Sequence, residues 1–84
     1  MKVLVRFFAL YRERAGISQT EVDLPEGTTP GELLLRLQDM YSSLPLGSSG
    51  SVLIAVNSEY VSPETPLQEG DEVAFIPPVS GGDR

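Results

Sequence analysis

One stretch of this chain carries a helical period, and it lies between two groups of strand-like segments. Leu33, Leu34, Leu37, Met40 and Tyr41 recur at three- and four-residue spacing, while Glu32, Arg36 and Asp39 fall away from that stripe. Ahead of it, Pro25-Glu26-Gly27 is turn chemistry. Thr28 or Thr29 can cap the helix, and Pro30 suits the first helical position, where no amide hydrogen is needed. The spacing predicts a helix from there through about Met40 or Tyr41. A chain of 84 residues makes one small domain, so this single apolar stripe has to be buried against a single sheet.

The strands that would build that sheet follow from alternation and turn signals. Val3, Val5 and Phe7 alternate with Leu4, Arg6 and Phe8. Both sets are largely apolar, which predicts a central strand covered, at least partly, on each side. Val22 and Leu24 alternate with Glu21 and Asp23, giving a second strand over about Thr20–Leu24. The intervening Ala9–Gln19 carries Arg12, Glu13 and Arg14 and passes Gly16, consistent with a short helical turn and loop that closes a hairpin. Ser42–Ser51 holds five Ser, two Gly and one Pro, the composition of a flexible surface loop. Val52–Val56 is a third strand, and Asn57-Ser58 turns tightly into a short fourth near Glu59–Val61. Gln68-Glu69-Gly70-Asp71 is a further turn, and Glu72–Ile76 the last strand, stopped by Pro77-Pro78 because proline donates no ladder hydrogen bond.

The order β-β-α-β-β-β is that of an α+β β-grasp, the ubiquitin-like fold: a mixed sheet covered on one face by one main helix. The last strand is expected beside the first and parallel to it, since a helix-bearing crossover separates them. The domain is expected to span residues 1–78, with residues 79–84 a flexible tail.

Charge and missing residue types narrow the chemistry. Twelve acidic residues against six basic ones leave no basic face for nucleic acid. No apolar run approaches the roughly 18 residues of a membrane span, and the charges at Lys2 and Arg6 do not suit an export signal, so a cytoplasmic protein with no membrane contact is expected. The chain has no Cys and no His, which excludes disulfides, metal sites built on thiolate or imidazole, and Cys-His or Ser-His catalysis. No bound metal and no bound cofactor are expected. Reactive chemistry would have to run through a carboxylate, a hydroxyl, the lone Lys2 or the backbone.

The backbone option points to the end of the sequence. Pro77-Pro78 makes a stiff, extended exit, and Val79 and Ser80 lead to Gly81-Gly82. Two residues without side chains can thread a channel where any Cβ would clash, and so present a backbone carbonyl carbon to another protein's active site. Gly-Gly near a terminus is by itself most often only floppy chain. On the sheet, Phe8, Tyr60 and Ile76 fall at outward strand positions, with Leu4 and Ala74 close by; such residues are commonly no more than half-covered strand positions.

The run Leu67-Gln68-Glu69-Gly70-Asp71-Glu72-Val73-Ala74-Phe75-Ile76-Pro77-Pro78-Val79-Ser80-Gly81-Gly82 resembles the ending of the MoaD family, the small subunits of molybdopterin synthase. Val56-Asn57, the opening Val3–Ala9, and Arg12-Glu13 followed by Gly16 match the same family's pattern. The resemblance implies a sulfur carrier within the ubiquitin-like and ThiS-like superfamily. Gly82 would be adenylated by a MoeB-type activating enzyme that uses ATP, then converted to a thiocarboxylate. The charged tail would enter the active site of the large subunit, MoaE, in a heterotetramer, and deliver sulfur for the dithiolene of molybdopterin. The catalytic residues would lie on that large subunit. Phe8, Tyr60 and Ile76 match a hydrophobic patch that contacts both partners in the family. Asp83-Arg84 place two bulky charged side chains after Gly82, so the resemblance also implies a processing peptidase that removes them.

Other readings stay open at this point. A related carrier could serve thiamine, tRNA thiolation or cysteine synthesis. A protein modifier would join Gly82 to lysines of targets, and a β-grasp binding module would never activate its tail.

Overall fold

A computed structural model describes residues 1–42 and 52–76. The elements follow in the order β1 (Lys2–Phe7), α1 (Ala9–Ala15), β2 (Gln19–Asp23), α2 (Pro30–Met40), β3 (Leu53–Val56), β4 (Glu59–Tyr60) and β5 (Glu72–Ile76). The five strands form one mixed sheet in the order β2-β1-β5-β3-β4. The expected β-grasp is thus the observed α+β fold, and β5 runs parallel to β1, with Val5 opposite Val73 and Phe7 opposite Phe75. β2 is antiparallel to β1, pairing Val22 with Val3, and β3 is antiparallel to β5, pairing Ile54 with Phe75.

Burial follows strand parity. Val3, Val5 and Phe7 of β1 and Val73 and Phe75 of β5 are buried, as are Val22 and Ile54 on their flanks. They meet Leu33, Leu34 and Leu37 of α2 in one apolar cluster. Each of these side chains contributes about 1.5–3 kcal/mol by leaving water. Phe7 also meets Tyr41 edge-on, ring centroids 5.6 Å apart.

Helix α2 starts where its sequence allows. Thr29 is the N-cap: its Oγ1 accepts from the Glu32 amide at 3.2 Å, and the Glu32 carboxylate accepts from the Thr29 amide at 3.0 Å. This reciprocal pair satisfies two of the donors that a helix start leaves without partners. Thr28, the other candidate cap, is buried and donates its hydroxyl to the Pro25 carbonyl at 2.7 Å. Gly31 lets the backbone of the 61–71 connection come close: its amide donates to the Pro63 carbonyl at 2.9 Å, and a Cβ there would lie 3.3 Å from that oxygen.

Several details differ from the sequence reading, among them β3, which begins at Leu53 rather than Val52. Ala9–Ala15 is a seven-residue helix whose first residue, Ala9, sits at φ 51°; it is closed by Gly16 at φ 80°, and the buried Tyr11 anchors it. β2 begins one residue earlier and ends one earlier than expected, with Leu24 already in the turn that its amide closes onto the Met1 carbonyl. Met40 is exposed although it falls on the helical stripe: it is the last residue of α2, and the apolar contact at that end is made by Tyr41 instead. β1 is interior to the sheet but covered on one face only: Leu4 is half-buried and Arg6 and Phe8 are exposed, because no helix packs on that side. Residues 43–51, within the expected Ser-rich loop, lie outside the described residues. None of the described helices is long and apolar enough to cross a membrane.

The β3–β4 turn has Asn57 at φ 51° and Ser58 at φ 73°. Two successive left-handed residues suit the strand twist of a two-residue hairpin, a conformation that costs an ordinary L-residue roughly 1–2 kcal/mol. At Asn57 the fold supplies compensation. Its side chain donates to Asp71 Oδ1 at 3.0 Å and accepts from the Glu72 amide at 3.0 Å. Its backbone amide donates to the Glu72 carbonyl at 2.8 Å, so the turn is pinned to the start of β5.

Burial raises the Tyr11 phenol above its ordinary value of 10.0. In the unfolded chain this phenol ionises at its ordinary value, while in the folded domain it stays neutral to higher pH. The stabilisation is therefore complete below pH 10 and is lost as pH rises through the folded value. Urea unfolding from pH 8 to 11.5 is expected to show a steeper alkaline loss of stability in wild type than in Tyr11→Phe.

Candidate functional site

The sheet face away from α2 holds the site. On β1 the parity that buries Val3, Val5 and Phe7 turns Leu4 and Arg6 outward, and Phe8 continues the outward row just past the strand. On β5 the outward residues are Glu72, Ala74 and Ile76. Register then assembles one row across the sheet: Tyr60 lies opposite Ala55, Ala55 opposite Ala74, and Ala74 opposite Arg6. The two small alanines in the middle make a low floor between taller side chains.

The result is a concavity of about 250 Å³ lined by Arg6, Phe8, Ala55, Ser58, Tyr60, Glu72, Ala74 and Ile76. The structure thus brings together Phe8, Tyr60 and Ile76, the three sheet residues singled out from sequence. Tyr60 is 72% exposed and Phe8 38%, while Ile76 is half-buried. Leu53, paired with Ile76 and 42% exposed, extends the apolar surface beyond the hollow.

One wall is charged. Arg6 Nη1 lies 2.8 Å from Glu72 Oε2, and the guanidinium carbon sits 5.5 Å from the Phe8 ring centroid. The ion pair is about half exposed and so contributes little to stability, on the order of 0–1 kcal/mol. Its main effect is geometric: it holds the Arg6 fork against the ring and keeps both charges at the rim of an otherwise apolar hollow. The neighbouring carboxylates of Asp71 and Glu69 are tied into loop structure. Asp71 Oδ2 accepts from the Gln68 amide at 2.8 Å and Glu69 Oε1 from the Lys2 amide at 2.9 Å.

Pro77, Pro78, Val79, Ser80, Gly81 and Gly82 lie outside the described residues, as do Asp83 and Arg84. Ile76 is both a lining residue of the hollow and the last residue of β5, so the chain leaves the sheet at the rim of this site. Among the described residues no cluster of acidic side chains could hold a metal ion.

Residues 5–82 match the ThiS family. The chain belongs to that family. Molybdopterin synthase sulfur carrier subunits are among its relatives: the one from Escherichia coli is 43% identical over 95% of this chain and 99% of its own length. The one from Chlamydomonas reinhardtii is 37% identical over 98% of this chain and all of its own length. The MoaD resemblance drawn from sequence is thereby borne out. Among solved structures, the small archaeal modifier protein 1 from Methanosarcina acetivorans superposes with a TM-score of 0.79 at 32% identity, covering 96% of each chain. A chain in the complex of subunits 1 and 2 of molybdopterin-converting factor from Helicobacter pylori superposes with a TM-score of 0.67 at 29% identity, covering 98% of this chain and 100% of that one.

Leu53, Ala55 and Ser58 were missed in the sequence. Val52–Val56 is apolar throughout, so hydrophobicity alone does not tell its two faces apart. The usable signal was the two-residue turn: Asn57-Ser58 fixes Ala55 opposite Tyr60, which puts Leu53 and Ala55 on the open face.

Adjacent residues of β5 serve opposite faces and should respond oppositely to mutation. Ala74→Leu adds carbons into an open hollow and is expected to change unfolding free energy by less than about 0.5 kcal/mol. Val73→Ala removes two buried methyls and is expected to cost about 2 kcal/mol. Denaturant titration of both variants checks the assignment of faces.

Proposed function

We propose that this protein is the sulfur carrier of a molybdopterin synthase, with Gly82 as the residue that bears the sulfur. The observation that carries the reading is the apolar hollow at Phe8, Tyr60 and Ile76, set where the chain leaves the sheet toward Gly81-Gly82. A partner seated on that hollow is within reach of the tail at the same time. The names of the relatives and the solved two-subunit complex from Helicobacter pylori support the same role and a large-subunit partner.

The chemistry needs little from the carrier itself. A carboxylate is a poor electrophile because its charge is delocalised over two oxygens. Adenylation by a MoeB-type enzyme with ATP gives the Gly82 carbonyl a leaving group, and a sulfur donor displaces AMP to leave a thiocarboxylate. The folded domain contributes positioning: a rigid sheet docks, and a short tail without side chains at its end reaches into the large subunit's active site. The synthase's proton transfers fall to the large subunit, and this chain binds neither metal nor cofactor. Asp83-Arg84 must be removed first, because the reacting carboxyl belongs to Gly82. On this reading the protein works in the cytoplasm, where ATP is available to the activating enzyme.

A second reading, a protein modifier, is favoured by the likeness to the archaeal small modifier protein. Self-conjugates would be restricted. Lys2 is the sole lysine. The other amine, the Met1 ammonium, donates to the Leu24 carbonyl at 2.7 Å.

Intact mass of the protein purified from its own cells tests the proposal. The expected result is loss of Asp83-Arg84 together with exchange of one oxygen for sulfur; a full-length mass without sulfur would sink it, and a ladder of larger conjugates on immunoblots would favour the modifier. For the docking face, Phe8→Asp is expected to abolish binding to the large subunit with an unchanged circular dichroism spectrum. Wild-type affinity in that variant would remove the hollow from the interface.

A further inference from the structure

Among the described residues three that are not glycine hold the left-handed backbone: Ala9 at φ 51°, Asn57 at φ 51° and Ser58 at φ 73°. Their compensation differs. Asn57 is held by two side-chain hydrogen bonds and one backbone bond to Asp71 and Glu72. Asparagine is also, after glycine, the residue that tolerates this region best. Ser58 has neither advantage. Its side chain is exposed, and its hydroxyl has no hydrogen-bond partner among the described residues. It occupies the second position of a two-residue hairpin turn, where glycine is the residue that the backbone favours.

This strain sits at the hollow. Ser58 is one of its lining residues, together with Tyr60 and the Arg6–Glu72 ion pair. A residue whose side chain costs stability in the folded monomer and gains nothing there is explained if that side chain makes its contact in a complex.

We infer that Ser58 is a binding residue of the docking face, its hydroxyl exchanging a hydrogen bond with a polar group of the large subunit. The inference rests on the docking reading given under Proposed function. It adds to that apolar surface a directional polar contact, the feature that fixes the register of one protein on another. It also explains why the turn is Asn-Ser rather than Asn-Gly: the turn conformation is tuned for recognition at the expense of stability.

Stability and binding should therefore move in opposite directions. Ser58→Gly relieves the strain and removes the hydroxyl. The expected result is a Tm raised by a few degrees and a Kd for the large subunit weakened about three- to tenfold. Ser58→Ala keeps the strain and removes the same hydroxyl, so its Tm should stay within about 2 °C of wild type while its Kd weakens as in Ser58→Gly. Scanning calorimetry and isothermal titration against the large subunit read both quantities, with Phe8→Asp titrated alongside. If Phe8→Asp loses binding while both Ser58 variants bind as wild type, the inference on Ser58 fails and the docking reading survives. If Phe8→Asp binds as wild type, both fall. An unchanged Tm in Ser58→Gly would likewise overturn the inference, because the turn would then hold no strain to explain.

Discussion

The parallel pairing of β1 with β5 is the contact on which the rest of the molecule depends. It joins residues nearly a whole chain length apart, Val5 to Val73 and Phe7 to Phe75, and seats two buried rings side by side under α2. Every other strand is added to this pair: β2 to the outer side of β1, β3 to the outer side of β5, and β4 to β3. Closing so long a loop costs chain entropy, which the buried Val and Phe side chains at the junction offset. The ties at the start of β5 reinforce it: the Leu4 amide donates to the Asp71 carbonyl at 2.9 Å and the Gly70 amide to the Lys2 carbonyl at 2.8 Å.

That pairing also decides where function can sit. Because β1 and β5 run the same way, the residue after β1, Phe8, and the last residue of β5, Ile76, arrive at the same end of the sheet. Lys2 and the Met1 ammonium are left at the opposite end, beside Asp23 and Leu24. The end from which the Gly-Gly tail departs is therefore apolar on its open face, and the two amines able to attack an activated carbonyl are held at the other.

Much of the fold was legible because each element carries its own punctuation. The helix was bounded by Thr29-Pro30 and its leucines, the hairpin by Asn57-Ser58, and the last strand by Gly70-Asp71 and Pro77. Ambiguity came where the pattern was apolar on both parities. In β1, Leu4 and Phe8 suggested cover on two faces, yet the single helix covers only one, and the exposed Phe8 is then part of a surface rather than of a core. Tyr60 and Ile76 were placed on that surface by alternation, whereas Leu53 and Ala55 needed the hairpin register. Met40 shows the reverse error: periodicity extends to it, but at the helix end Tyr41 rather than Met40 takes the place against the core.

The hollow owes its form to residues that are unremarkable one at a time. Alanine is a poor strand former, and two of them, Ala55 and Ala74, stand directly opposite each other near the middle of the sheet. On a face packed by a second layer such a pair would leave a void. On an open face it leaves a recess, and Tyr60, Ile76, Phe8 and Arg6 rise around it. The inner face stays fully packed by Val73 and Phe75 directly behind Ala74, so the floor is rigid although it is thin. One sheet therefore does two jobs by parity alone. Odd-numbered positions of β5 hold the domain together, and even-numbered positions shape what can bind to it.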